Sequence, residues 1–255
     1  MPKPQVIRHA DKAELGVSAA QRIFEVLTST LAEKPLAHIS LTGGSMGIAV
    51  LAELARHPRL SEVDFSKVHF WWSDERFVAA GHEDRNEQQA KDALLSQLDI
   101  PAKNLHIMGS TDTFETPEAA AQAYAAELAE YAEKDDAAPV FDLTLLGMGP
   151  DGHIASLFPH REEIHLREGV ALAIHDSPKP PPTRVSLTLP VIRASQRIWF
   201  LIAGSDKAEA TARLTEAAKL SDEQLVGEVL TETPAAGARG LAETLVLATE
   251  DSLTA

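Results

Sequence analysis

The segment Leu146-Gly147-Met148-Gly149-Pro150-Asp151-Gly152-His153 puts a histidine two residues beyond an aspartate in a glycine-rich loop. An imidazole whose unperturbed pKa is about 6.5 can take a proton from water near neutrality, and a neighbouring carboxylate can orient the ring and stabilise the imidazolium. His153 is thus a candidate general base and Asp151 its support, set against the ordinary reading of an exposed loop histidine. The same residues contain a literal G-x-G-x-x-G from Gly147 to Gly152, the spacing of a dinucleotide-binding turn. Pro159 stops any following helix well short of the one such a turn opens, so the spacing does not carry that reading.

Three more loops hold residue types that could meet an anion. Leu41-Thr42-Gly43-Gly44-Ser45-Met46-Gly47 joins a strand pattern to a helical one, so its N–H groups can converge at a helix start where the dipole favours negative charge. Gly43, Gly44 and Ser45 then form a phosphate cradle. Two alternatives remain, a merely tight turn and a G-x-S-x-G nucleophile elbow, although no HGGG-type oxyanion segment precedes Ser45. Trp72-Ser73-Asp74-Glu75-Arg76 ends an apolar run in three charges; there Arg76 could hold phosphate or steady a developing oxyanion, and Asp74 is a candidate substrate contact. The competing reading is a surface salt-bridge network. In Ala203-Gly204-Ser205-Asp206-Lys207 a lysine in a first helical turn runs against the dipole preference, which a bound anion would explain. Arg184, beyond the stiff Ser177–Pro182 run, is a further candidate cation, with an ordinary surface arginine fitting the spacing equally well. His82–Glu87 reads as a solvated turn and helix start, in which Asn86 is the residue least expected to be idle.

Apolar runs at Gln5–His9, Ala37–Thr42, Lys67–Ser73, Leu105–Met108, Phe141–Met148, Val170–Ile174, Arg184–Leu189, Arg197–Ala203 and Thr244–Ala248 each predict a strand. Between them, helical spacing runs through Leu15–Leu31, Ile48–Ala55, Pro117–Lys134 and Asp206–Leu214. Such alternation predicts an α/β fold, a mainly parallel sheet with helices on both faces. In that architecture ligands bind beyond the carboxyl ends of strands, which is where the four loops above fall. The Pro-rich run Ser177–Pro182 reads as a spacer.

The 255 residues, 44% hydrophobic and 24% charged, suffice for one domain spanning 1–255. With 23 Lys and Arg against 38 Asp and Glu, the net charge of −15 disfavours nucleic acid and anionic membrane surfaces. A small anionic ligand must therefore be met by a local cluster of cations and N–H groups. The absence of cysteine removes disulfides, thiolate catalysis and cysteine-bound metals. His153, His160 and His165 lack ligand spacing, so no metal is expected. No run approaches the roughly 18 apolar residues of a spanning helix, and the first residues lack a secretory apolar segment; a cytoplasmic location follows as an expectation.

Together, LTGGSMG (Leu41–Gly47), WSDERFV (Trp72–Val78) with Asn86, LGMGPDGHIASLFP (Leu146–Pro159), PKPPPTRVSLTLP (Pro178–Pro190), AGSDKA (Ala203–Ala208) and PAAG (Pro234–Gly237) resemble the 6-phosphogluconolactonase family. The wider group includes glucosamine-6-phosphate deaminase/isomerase and ribose-5-phosphate isomerase. The deaminase branch is similar through GxGxDGHIAFNEP, but Ser156-Leu157-Phe158 stands here for Phe-Asn-Glu, which favours the lactonase. The resemblance implies a Rossmann-like three-layer fold of the sugar-phosphate isomerase type and hydrolysis of a sugar-phosphate lactone without cofactor or metal. It implies His153 as the base that activates water, Asp151 as its support and Arg76 near the developing charge. It also implies phosphate contacts from Gly43, Gly44, Ser45 and Lys207, with Arg184 added. A monomer or weak dimer is expected. Met46-Gly47 stands where the family often has Thr-Pro.

Overall fold

The computed structural model describes residues 1–133 and 136–254. Strands β1 (Gln5–His9), β2 (Ala37–Leu41) and β3 (Val68–Trp72) alternate with helices α1 (Lys12–Glu33) and α2 (Gly44–Ala55). One residue after β3 the chain enters β4 (Asp74–Arg76), followed by α3 (Asn86–Ala93) and α4 (Pro117–Glu130). Then come β5 (Leu143–Gly147), β6 (Ala171–Ile174), β7 (Arg184–Leu187), α5 (Leu189–Arg193), β8 (Arg197–Ile202), α6 (Ala208–Ala217), α7 (Glu228–Glu232), β9 (Glu243–Thr249) and α8 (Glu250–Leu253).

Six strands form one sheet in the order β1-β9-β8-β5-β2-β3, with every neighbouring pair parallel. Its strands are apolar at consecutive positions because both faces are covered. Along β8, Trp199 and Leu201 join the core shared with α1 and α2, whereas Ile198, Phe200 and Ile202 join the one shared with α4 and α6. β9 divides likewise, Leu245 and Leu247 to the first core, Val246 and Ala248 to the second. Local signals start the helices: Asp11 caps α1 by accepting from Glu14 N at 2.9 Å, and Thr116 caps α4, where Pro117 fills the first turn. Among the described residues no helix is long and apolar enough to cross a membrane.

Three expectations need correction. Leu105–Met108 is not a strand; it touches β3 through the single Phe70–Leu105 bridge, and the Met108 carbonyl turns to accept from Arg85 Nη2 at 2.6 Å. The helix expected over Pro117–Lys134 ends at Glu130, and Lys134 lies outside the described residues. Asp74–Arg76 is a strand, although three consecutive charges conceal it. β4 pairs antiparallel with β7, as β7 does with β6, in a separate three-stranded sheet, so the runs at 171–174 and 184–187 do not join the parallel one.

Candidate active site

From β2 the chain moves outward to β3, while β5 lies on the other side of β2 and leads toward β8. The loops leaving β2 and β5 therefore diverge, and a crevice opens between them at the carboxyl ends of the strands. Thr42 Oγ1 ties the two loops together by accepting from Gly147 N at 3.2 Å. The crevice continues into a cleft of about 520 Å³. Gly43, Gly44, Ser45, Asp74, Arg76, His153, Arg184 and Lys207 all line it, and of the residues singled out from the sequence only Asp151 stands behind the lining.

Asp151 reaches the cleft through His153. Its Oδ1 lies 2.6 Å from His153 Nδ1 and also accepts from His153 N at 3.3 Å. Burial pushes the Asp151 carboxyl upward, but the His153 hydrogen bond, the His153 charge and Lys179, whose Nζ is 4.0 Å away, outweigh it and hold the pKa at about 2. An ionised Asp151 can only accept, so in the neutral form of the ring the proton belongs on Nδ1 and the lone pair on Nε2. Among the described residues Nε2 has no protein partner, and no hydrogen bond joins His153 to Ser45. The ring rests on Phe158, with centroids 4.5 Å apart. Gly149 N donates to the His153 carbonyl at 3.0 Å and closes the turn.

Helix α2 begins at the same cleft. Gly43 is its N-cap and offers no side-chain acceptor, so the first-turn N–H groups remain available to an anion. Gly44 takes φ +79°, a conformation glycine adopts freely. A side chain at Gly43 would run into the Asn86 amide. Lys207 ends a short turn (Ser205–Lys207) just before α6, where burial lowers its pKa, Asp206 raises it, and the charges of Lys179 and Lys12 lower it again. Lys12, at the start of α1, also lines the cleft, as does Lys179. Sequence reasoning missed both; Lys12 looks like an ordinary helix-start residue, and Lys179 lay inside the run read as a spacer. Clustered cations in a chain of net charge −15 make this cleft fit a small anion.

β4 supplies the floor. Asp74 Oδ2 accepts from Ser156 Oγ at 2.7 Å, and Oδ1 from Asn86 Nδ2 at 3.2 Å. Glu75, 1% exposed, accepts from the N–H groups of Asn86 at 2.7 Å and Glu87 at 2.9 Å, satisfying the first donors of α3. Burial raises its pKa to about 7, against the pull of Arg85 and those N–H groups. The turn expected to be solvated is so only through Asp84, because Arg85, Asn86 and Glu87 are buried. Arg76 Nη1 donates to the Asp84 carbonyl, and its buried Nε has no partner among the described residues. Arg184 is not a surface arginine: it is 4% exposed and donates to the carbonyls of Pro181 at 3.0 Å, Lys179 at 2.9 Å and Pro180 at 3.2 Å. The Pro-rich run is wrapped around that guanidinium, not strung out as a spacer. Among the described residues no three His, Asp or Glu side chains gather as a metal-binding set.

The model of the family described as glucosamine-6-phosphate isomerases/6-phosphogluconolactonase matches residues 10–246. The chain belongs to this family. Within the glucosamine-6-phosphate isomerase/6-phosphogluconolactonase family it is an enzyme of the 6-phosphogluconolactonase kind. It is 43% identical over 248 residues to the 6-phosphogluconolactonase of Streptomyces coelicolor, covering 96% of this chain and 91% of that one. The Mycobacterium tuberculosis 6-phosphogluconolactonase is 41% identical over 244 residues, covering 95% and 94%. The crystal structure of 6-phosphogluconolactonase from Thermotoga maritima superposes with a TM-score of 0.79 at 27% identity, covering 97% of this chain and all of that one. The parallel sheet flanked by helices is thus the family's architecture.

Proposed function

We propose that the cleft hydrolyses 6-phospho-D-glucono-1,5-lactone to 6-phospho-D-gluconate, the second step of the oxidative pentose phosphate pathway, with His153 activating the water. The observation that carries this reading is the His153–Asp151 pair, 2.6 Å apart, at a cleft also lined by a helix start and by Lys12, Lys179 and Lys207. The phosphate sits on the N–H groups of Gly43, Gly44 and Ser45 beside Lys207, which brings the lactone carbonyl to the histidine. His153 Nε2 takes a proton as water oxygen bonds to C1, and Asp151 steadies the imidazolium. The negative charge on the carbonyl oxygen falls near Arg76. Collapse breaks the bond from C1 to the ring oxygen, and His153 returns its proton to that oxygen. The lactone is already an activated ester, so no covalent nucleophile is required. Arg184 and Asp74 act through the loop geometry they hold, with Asp74 also open to the substrate. The same reading has one cytoplasmic domain over 1–255 that works without metal or cofactor, as a monomer or weak dimer.

The test is the decay of freshly generated lactone with parent or His153→Ala protein, with chelator present and spontaneous opening subtracted. The parent should accelerate decay despite the chelator, and His153→Ala should lose roughly 10²- to 10⁴-fold in kcat with KM little changed. Full turnover by His153→Ala would refute the base assignment, and ammonia release from glucosamine 6-phosphate would point to the deaminase branch instead.

A further inference from the structure

The loop that carries Asp151 and His153 is held from a second side. Asp151 and Phe158 also line a separate cavity of about 500 Å³, and Arg213 of α6 stands in its wall. Arg213 Nη2 donates to the Asp151 carbonyl at 3.1 Å, while Nε donates to Thr233 Oγ1 at 3.0 Å. Ala235 N donates to the Gly152 carbonyl at 3.0 Å, so residues 233–235 and α6 grip both carbonyls of the Asp151-Gly152 turn. Gly152 lies at φ +92°, and a Cβ there would sit 3.2 Å from Thr233 Cγ2. The contact with the Thr233 segment is therefore close as well as hydrogen-bonded.

A carboxylate's aim depends on the backbone that bears it. Rotation of the Asp151-Gly152 peptide would swing the Asp151 carbonyl and change where Oδ1 points relative to His153 Nδ1. A planar guanidinium bridging a hydroxyl and a carbonyl resists that rotation in a way a single point donor does not. We propose that Arg213 is a positioning residue: by holding the Asp151 carbonyl it fixes the direction from which Asp151 meets His153, and so keeps the ring proton on Nδ1. This inference rests on His153 acting as the base. Arg213 lies outside the cleft lining, and its link to the pair runs through the Asp151 carbonyl.

The experiment compares parent, Arg213→Ala, Arg213→Lys and His153→Ala by kcat, KM, thermal unfolding and the proton resonance of His153 Nδ1–H. Arg213→Ala should lower kcat about 10-fold with KM within about two-fold, because misplacement of a catalytic group is felt in turnover. Its Nδ1–H resonance should shift or broaden, and Arg213→Lys should recover part of both effects. A lowered melting temperature with kcat and the resonance unchanged would assign Arg213 to stability alone and overturn the proposal. Should Arg213→Ala fail to fold, Arg213→Gln, which keeps one amide donor, is read by the same criteria. Full turnover by His153→Ala would remove the base reading itself, whereas an inactive His153→Ala beside a fully active Arg213→Ala would overturn only the brace.

Discussion

The backbone of Gly149 lies against the His153 ring so closely that a Cβ at Gly149 would overlap the imidazole Nδ1 and Cε1 and the Asp151 carboxylate. Its φ is not in the left-handed region, so alanine would meet no backbone strain there and the whole cost would fall on the pair. Gly149→Ala should reduce kcat by about 100-fold, the scale of a misplaced catalytic group, while the protein remains folded. Steady-state kinetics beside a melting curve checks this. Near-parental kcat would mean that the pair is not held as described.

Lys207 and Lys12 come to the cleft from the turn before α6 and from the start of α1, and among the described residues neither makes a salt bridge. Lys207→Ala should raise KM roughly 10-fold or more with a smaller change in kcat, the scale of a hydrogen bond to a charged group. Lys12, which is more exposed, should show a smaller rise that added salt erases. The unphosphorylated lactone is the control: its KM should be indifferent to both changes. Equal sensitivity of the two lactones would place these lysines away from the phosphate.

Stability should depend on a histidine cluster remote from the cleft. Trp71 Nε1 donates to His38 Nδ1 at 3.1 Å, and His69 Nδ1 lies 2.8 Å from His106 Nε2, whose ring lies 3.6 Å from Trp71 by centroids. Burial first and neighbouring imidazoles second hold His38 and His69 down at about 4; Lys34 and Lys103 add to this, and Asp142 opposes it at His38. The unfolded value is about 6.5, so between 6.5 and 4 the unfolded chain binds protons that the folded state refuses, and stability falls as the pH drops. Glu75, raised to about 7 from an ordinary 4.5, has the opposite sign, because in that window the folded state keeps a proton the unfolded chain has lost. Melting temperature should therefore fall from pH 6.5 to 4.5, more steeply in Glu75→Gln and less steeply in His69→Gln. An unchanged slope in His69→Gln would take that residue out of the account.

The parallel sheet was legible because its strands are covered on both faces and so read as continuous apolar runs; β1 falls on the predicted residues Gln5–His9. In the second sheet β6 and β7 fall within predicted runs, but β4 was not legible, since Asp74-Glu75-Arg76 offers no apolar alternation and is held by pairing with β7 and by Asn86 and Glu87. Apart from Lys12 and Lys179, the site residues gathered in the cleft were visible in glycine spacing and strand-end position. Their support was not. Nothing local marks Arg85 as a buried donor to Met108, or Arg213 as a neighbour of Asp151 some 60 residues earlier in the chain, because both are products of long-range packing. Arg184 shows the same limit: an arginine after a proline run reads as exposed until the run folds back over it.

The pairing of β1 with β9 has a consequence for how the molecule is made. Gln5–His9 emerges from the ribosome long before its partner in the sheet, Glu243–Thr249. Until then β1 has no ladder to join and β8 presents an open edge, so the sheet closes only once β9 has been made. The early strand must wait as an unpaired segment. Loss of Glu243–Thr249 would thus cost two strands, not one. Because β1 and β9 run parallel, placing them next to each other in the chain would take a crossover of about a dozen residues or more back along the sheet, not a tight turn.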